Sequence, residues 1–214
     1  MNSRDKVLAR IDFATGKNST SPATSYAALK REYLREGRLH SEERVALMIE
    51  RLRDYDAEVL ECSPDDLIPK MKAHLIANRK RELVVPSGLP RAWLVPGFHW
   101  RIDHSLTLEQ IDRCEGVVTG CFCAVADSGT IVLHHSQMEG RRLLSLLPDW
   151  HLCVLRESDI VETFPEYFAR CTSAPPLATY ISGPSATADI EMTRIKGVHG
   201  PRYLSVLLLR DAQH

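Results

Sequence analysis

Hydroxyl, carboxylate and imidazole side chains are concentrated between residues 182 and 200, among glycines and prolines that favour tight turns. Around such turns a chain presents polar groups to a ligand. Apolar runs at 178–181 and 203–209 flank this loop, so it should connect two strands. Its candidate ligand-binding residues are Ser182, Gly183, Ser185, Thr187, Asp189, Glu191, Gly197 and Gly200.

This C-terminal loop offers two kinds of chemistry, each with a plainer alternative. The backbone N–H groups of Ser182-Gly-Pro-Ser185 could bind a phosphate or carboxylate at a helix start, or Ser182 or Ser185 could simply cap that helix. His199 could act as an acid, a base or an anion donor near neutral pH. It could equally be a surface histidine without a role.

A second polar loop, Ala126-Asp-Ser-Gly-Thr130, also follows a predicted strand. Gly129 would let a ligand approach the backbone, Ser128 and Thr130 would donate hydrogen bonds, and Asp127 would serve as a base, nucleophile or acceptor. An Asp-Ser-Gly β-turn between two strands explains the same residues.

Ligands of parallel sheets bind beyond the carboxyl ends of the strands. We therefore expect both polar loops to converge on one pocket for a small anion, with Asp127 and His199 as its candidate catalytic residues.

The sequence carries no pattern typical of a metal or cofactor site. The six cysteines include no Cys-x-x-Cys pair and no zinc or cluster spacing. His134 and His135 are adjacent and would point to opposite faces of a strand. There is no dinucleotide fingerprint and no P-loop. We predict no metal and no cofactor.

The composition bounds the class of protein. The 27 basic and 28 acidic residues leave a net charge of −1, which argues against a nucleic-acid partner. No apolar run approaches the roughly 20 residues that a membrane span needs, and no signal peptide opens the chain. We expect a cytoplasmic protein without a membrane span.

The hydrophobic pattern predicts alternating helices and short strands. Residues 45, 48, 49 and 52 give a helix that begins near Ser41 an apolar face. The predicted strands are residues 57–62, 83–86, 116–119, 130–133, 150–155 and 204–209. We predict a turn or short helix at 120–127, a short helix at 141–147, and a helix at 159–170 that Pro165 interrupts. This alternation is typical of an α/β domain with an open, mostly parallel sheet flanked by helices. We place that domain at 41–214, after an extension at 1–40 that is partly flexible or helical.

Four strings in the second half of the chain carry a family resemblance: Val118-Thr-Gly-Cys121, Ala124-Val-Ala-Asp-Ser-Gly-Thr-Ile-Val-Leu133, Gly140-Arg-Arg142 with Ser145-Leu-Leu-Pro148, and Ile181-Ser-Gly-Pro-Ser-Ala-Thr-Ala-Asp-Ile-Glu191 with Lys196-Gly-Val-His-Gly-Pro201. They closely resemble LUD-domain proteins, and in particular the lactate-utilisation protein C family. The resemblance implies a fold like that of ribose-5-phosphate isomerase and the CoA transferases.

The resemblance also implies a bacterial role in converting L-lactate to pyruvate, together with iron–sulfur partner proteins. Two functions follow. The chain is a non-redox subunit or accessory of a lactate-oxidising complex, with a small carboxylate or phosphate as its ligand. Alternatively, it is a free-standing enzyme for a small anion, CoA or a sugar phosphate, of transferase or isomerase type, which uses the loops at 127–130 and 182–200.

Overall fold

The computed structural model describes residues 2–15, 26–30, 32, 34–188, 194–197 and 199–211. The chain divides into two compact units, residues 1–34 and 35–214. In the first unit, helix α1 (Ser3–Thr15) buries none of its residues. The second unit contains every strand described below and every site discussed.

The main sheet has six strands, all parallel to their neighbours. They are β1 (Glu58–Cys62), β2 (Glu82–Pro86), β3 (His99–Asp103), β4 (Gly116–Thr119), β7 (Trp150–Arg156) and β12 (Tyr203–Leu209), in the order β1-β12-β7-β4-β2-β3. The central pair β12 and β7 is in register from Tyr203 opposite Trp150 to Leu209 opposite Arg156. The inner strands β2, β4 and β7 are buried along most of their length, which is typical of strands covered on both faces. The predicted open parallel α/β sheet is confirmed.

Helices cover both faces of this sheet. Helix α2 (Ser41–Asp54) begins at the predicted residue, where the Glu43 carboxylate accepts a 2.9 Å hydrogen bond from the His40 N–H. Its buried face packs on one side of the sheet, and helix α3 (Leu67–Ala77) packs on the other. Alternate residues of β7 divide accordingly, with Cys153 in the first core cluster and Leu152 in the second. The short helix α4 (Leu108–Asp112) contributes its buried Ile111 to a further cluster.

A second sheet was not expected from the sequence. It consists of β5 (Cys123–Val125), β6 (Thr130–Leu133), β8 (Ile160–Val161) and β9 (Thr179–Ile181), in the order β8-β5-β6-β9. Strands β5 and β6 are antiparallel and are joined by a turn at 126–129. The prediction of a turn or short helix at 120–127 is therefore wrong for residues 123–125.

Two predicted helices also differ from the structure. Residues 142–146 form turns rather than a helix. Helix α5 (Phe164–Arg170) begins at Phe164, with Pro165 in its first turn, instead of running through from residue 159. Proline fits the first turn because the N–H that it lacks would have no partner inside the helix, so Pro165 belongs to the start of a helix and interrupts none.

Between the second sheet and the last strand of the main sheet, the chain forms a hairpin. Strands β10 (Ala186–Ala188) and β11 (Arg194–Lys196) are antiparallel, with Ala186 opposite Lys196. Among the described residues, no helix has the length and apolarity that crossing a bilayer requires.

Candidate functional site

A cleft of about 220 Å³ lies at the amino ends of β7 and β12, next to β9. Pockets for drug-sized ligands hold roughly 300–1,000 Å³, so this cleft suits a smaller molecule. Its polar lining includes Arg142, His151, Thr179, Ser182, Ser185 and His199. Among the described residues, no aspartate or glutamate lines it.

Backbone contacts fix the wall that the C-terminal loop provides. Ser185 donates its N–H to the Pro201 carbonyl at 2.8 Å and accepts the Gly197 N–H at 3.0 Å. Its hydroxyl oxygen accepts the His199 N–H at 3.1 Å. The side chain of Ser185 therefore joins the two arms of the loop and caps no helix.

Gly183 has no room for a side chain. Its φ of +93° lies in the left-handed region, and a Cβ atom there would be 2.5 Å from Cβ of Tyr55, the residue that ends α2. Glycine is required by both conditions. This close approach holds the start of the loop against the helix.

Arg142 supplies the positive charge of the cleft. It is half-buried, and this burial holds the pKa of its guanidinium below the ordinary value. Its Nη1 donates to the carbonyl and the hydroxyl of Ser145, both at 3.0 Å, and its Nη2 lies 3.4 Å from the His199 carbonyl oxygen. In the part of the chain that the structure describes, no carboxylate pairs with it. A cation that is held in place yet unpaired is suited to an anionic ligand.

His151 forms part of the cleft lining from the second position of β7. Burial, followed by the charge of Arg142, lowers the pKa of its imidazole to about 4. Its Nε2 lies 2.7 Å from the hydroxyl of Thr119 on the neighbouring strand. His151 is therefore neutral at pH 7 and adds no charge beside Arg142.

The loop at 127–130 meets the C-terminal loop through hydroxyl groups. The hydroxyl oxygens of Ser128 and Thr130 are 2.7 Å apart, and that of Thr130 is 2.8 Å from the Ser182 hydroxyl. Asp127, however, is exposed. Gly129, at φ +61°, packs against Arg51 of α2. The Asp-Ser-Gly segment is thus a hairpin turn whose hydroxyl chain ends at the cleft wall.

The cleft gathers part of the predicted site. Ser182, Gly183, Ser185, His199 and Gly200 line it, whereas Asp127, Ser128, Gly129, Thr130 and Gly197 are not among its lining residues. Asp189 and Glu191 lie outside the described residues, as does the side chain of Thr187.

The expectation that placed both loops at the carboxyl edge of one parallel sheet is wrong. The first loop joins antiparallel strands of the second sheet, and the other leads into the amino end of β12. A four-residue turn can connect antiparallel strands only, because parallel strands need a crossover of a dozen or more residues.

The cleft residues that were not among the sequence candidates include Arg142, His151 and Thr179. Arg142 stands in one of the strings that carry the family resemblance, and this is the signal that could have pointed to it. His151 and Thr179 lie inside or at the start of apolar strands and carry no local signal. Within the described residues, no three His, Cys, Asp or Glu side chains form a group that could hold a metal ion.

Comparisons with known proteins agree with this architecture. The family model described as LUD domain matches residues 45–209. The chain is 42% identical to lactate utilization protein C of Deinococcus radiodurans over 75% of this chain and 76% of that relative. It is 33% identical to lactate utilization protein C of Bacillus subtilis, over 62% of this chain and 60% of the relative. For the Bacillus velezensis protein of that name, the alignment spans about half of the relative, 52%.

A solved structure is similar as well. The crystal structure of a DUF162 family protein from Deinococcus radiodurans aligns with a TM-score of 0.68 at 33% identity and covers 80% of this chain and 99% of that one. At this identity the likeness extends beyond the fold to a shared sequence family.

Proposed function

Because the chain belongs to the LUD domain family, we propose that it acts in bacterial lactate utilisation as a cytoplasmic component that binds a small carboxylate and carries no electrons itself. Relatives named lactate utilization protein C, which align with half to three quarters of their own length, support the pathway. The cysteine spacing, which matches no iron–sulfur motif, supports a non-redox role for this chain.

The observation that carries the proposal is the guanidinium of Arg142, which lies in a small polar cleft and pairs with no carboxylate among the residues that the structure describes. A guanidinium is planar and carries five N–H donors, so it binds carboxylates in a fixed geometry. Ser182 and Ser185 add hydroxyl groups to the same lining. L-Lactate and pyruvate are carboxylates small enough for such a cleft.

Electrons from lactate must then pass to other proteins. We propose iron–sulfur subunits as the partners, and the family resemblance supports this assignment. Capture of the tagged chain from cells grown on L-lactate should recover iron–sulfur proteins, and capture from cells grown on glucose should recover fewer. Recovery of no iron–sulfur protein under either condition would contradict the partner assignment.

The experiment that tests the role is complementation. A strain that lacks this gene should grow poorly on L-lactate and normally on pyruvate. The wild-type chain and the matched control Arg113→Gln, which alters an exposed arginine, should restore growth on L-lactate. Arg142→Gln at equal protein level should not. Full rescue by Arg142→Gln would show that the cleft is not needed for lactate utilisation.

A second candidate function rests on the hydroxyl chain from Ser128 through Thr130 to Ser182. These hydroxyl groups connect the turn that carries Asp127 to the cleft, and this connection favours a free-standing enzyme of transferase or isomerase type in which Asp127 takes part. Asp127→Asn separates the two functions, because it should leave growth on L-lactate unchanged if Asp127 is only a turn residue. Loss of growth with an intact fold would favour the second function.

A further inference from the structure

Thr179, the first residue of β9, links the cleft to a histidine behind it. Its hydroxyl oxygen lies 2.7 Å from Nε2 of His135, and Nδ1 of His135 lies 2.8 Å from the carbonyl oxygen of Gly140. Thr179 lines the cleft, whereas His135 does not. His135 can therefore act on a ligand in this cleft only through Thr179.

The direction of these hydrogen bonds follows from the carbonyl. A carbonyl oxygen only accepts, so Nδ1 of His135 must carry the proton. In a neutral imidazole the other nitrogen, Nε2, is then an acceptor. In that neutral form Nε2 has no proton to give, so the Thr179 hydroxyl donates to it. With its proton directed at His135, Thr179 offers the cleft only the lone pairs of its oxygen.

Hydrogen bonds stabilise the loop that carries His135. His135 has a φ of +57°, which a non-glycine residue adopts only where surrounding contacts enforce it. The buried carboxylate of Glu139 accepts the Ser136 hydroxyl at 2.9 Å and the Ser136 N–H at 3.3 Å. The Gly140 N–H donates to the Ser136 carbonyl at 2.7 Å.

Gly140 itself cannot be replaced without moving its carbonyl. Its φ is +69°, and a Cβ atom there would be 2.6 Å from Cδ1 of Leu144 and 3.2 Å from Cβ of Pro86. The acceptor that sets the His135 tautomer is thus fixed by packing. These contacts fix the direction of the hydrogen bonds that run from Thr179 through His135 to the Gly140 carbonyl.

We infer that this direction of hydrogen bonding, which leaves Thr179 as an acceptor, makes the cleft selective for 2-hydroxy acids over 2-oxo acids. The inference rests on the proposed function, in which Arg142 binds the carboxylate of the ligand. A 2-hydroxyl group can donate to the Thr179 oxygen. A 2-oxo group has no proton to donate and would place one acceptor against another. Thr179 is thus a specificity-determining residue and His135 its positioning residue.

Calorimetric titration of the full chain with L-lactate, pyruvate and propionate tests the inference. Propionate has the same carboxylate and carbon chain without the 2-hydroxyl group. The wild-type chain should bind L-lactate roughly five- to tenfold more tightly than either competitor, the range for one hydrogen bond gained against none. Thr179→Val should reduce this preference to about one while the affinity for propionate changes less than twofold.

Two further variants separate specificity from structural damage. Thr179→Ser keeps the hydroxyl group and should keep the preference for L-lactate. His135→Phe frees the Thr179 hydroxyl to rotate, so the affinity for pyruvate should rise relative to that for L-lactate. A merely structural role of His135 would weaken all three acids alike and leave the ratios unchanged.

The outcomes distinguish this inference from the proposed function. If L-lactate binds and Arg142→Gln abolishes binding, but the three acids bind equally or Thr179→Val keeps the preference, only the inference is overturned. If none of the three acids binds the wild-type chain, both the carboxylate cleft and its selectivity are overturned.

Discussion

Replacing Arg142 by glutamine removes the charge of the cleft while keeping a polar side chain. Hydrogen bonds to a charged group contribute about 1.5–3 kcal/mol each, and two unit charges 4 Å apart attract by about 4 kcal/mol at an effective dielectric constant of 20. The cleft opens to solvent, which screens part of this attraction. We therefore expect a loss of about 2–3 kcal/mol in binding, which weakens the affinity for a carboxylate roughly 30- to 150-fold.

The same substitution should cost little stability. Burial disfavours the charged form of Arg142, as the direction of its pKa shift indicates, and in the described part of the chain no carboxylate is left unpaired when the charge is removed. The lost contacts are those to Ser145 and to the His199 carbonyl. We expect the free energy of unfolding to change by less than about 1 kcal/mol.

Titration calorimetry with L-lactate, beside urea unfolding of the same preparations, measures both quantities. Arg113→Gln controls for the loss of one positive charge from the whole chain, because Arg113 is exposed. The reasoning is refuted if Arg142→Gln binds L-lactate like the wild type. It is refuted equally if weaker binding comes with an equal loss of stability in the absence of ligand.

Two predictions concern stability. The pKa of His151 is about 4 in the folded chain against an ordinary 6.5, so the unfolded chain binds the extra proton first and stability falls as the pH drops from 6.5 towards 4. Between pH 7 and pH 5 the free energy of unfolding, measured with urea, should fall by about 2 kcal/mol less in His151→Gln than in the wild type. The fall that remains should include a contribution from His74, whose pKa is also lowered by burial. Gly183→Ala should lower the free energy of unfolding by at least about 2 kcal/mol, because the added Cβ atom would lie only 2.5 Å from Cβ of Tyr55, on a backbone at φ +93°. Gly97→Ala, at φ +95° with nothing within 4 Å of the added atom, carries the backbone strain alone, and equal losses in the two variants would exclude the close contact with Tyr55 as a cause.

Elements whose burial depends on their own periodicity were predictable from the sequence. Helix α2 begins at Ser41, and the four residues of its predicted apolar face are buried: Val45, Met48, Ile49 and Leu52. The central strand β12 is apolar apart from Ser205, which is typical of a strand covered on both faces. In these segments the local pattern and the tertiary environment agree, and this agreement makes a prediction reliable.

The second sheet could not be read in the same way. Strands β5 and β8 have three and two residues, which is too few to display a period of two. All of them are buried, so even a longer run would not alternate. What makes them strands is pairing across the chain, for example Ala124 with Ile160. Such pairing is a long-range property that no local window contains.

The cleft depends on the same kind of information, as two adjacent arginines demonstrate. Arg141 and Arg142 are chemically identical neighbours in the sequence. Arg141 forms two hydrogen bonds with the carboxylate of Asp103, at 2.8 and 3.1 Å, because its side chain reaches the end of β3. Arg142 instead meets Ser145 and the cleft, where among the described residues no carboxylate pairs with it. Pairing neutralises the first arginine, so only the second has its charge available for a ligand. The turns at 142–146 direct the two side chains to different places in the fold. Arg141 is therefore a structural residue, and Arg142 is a candidate binding residue.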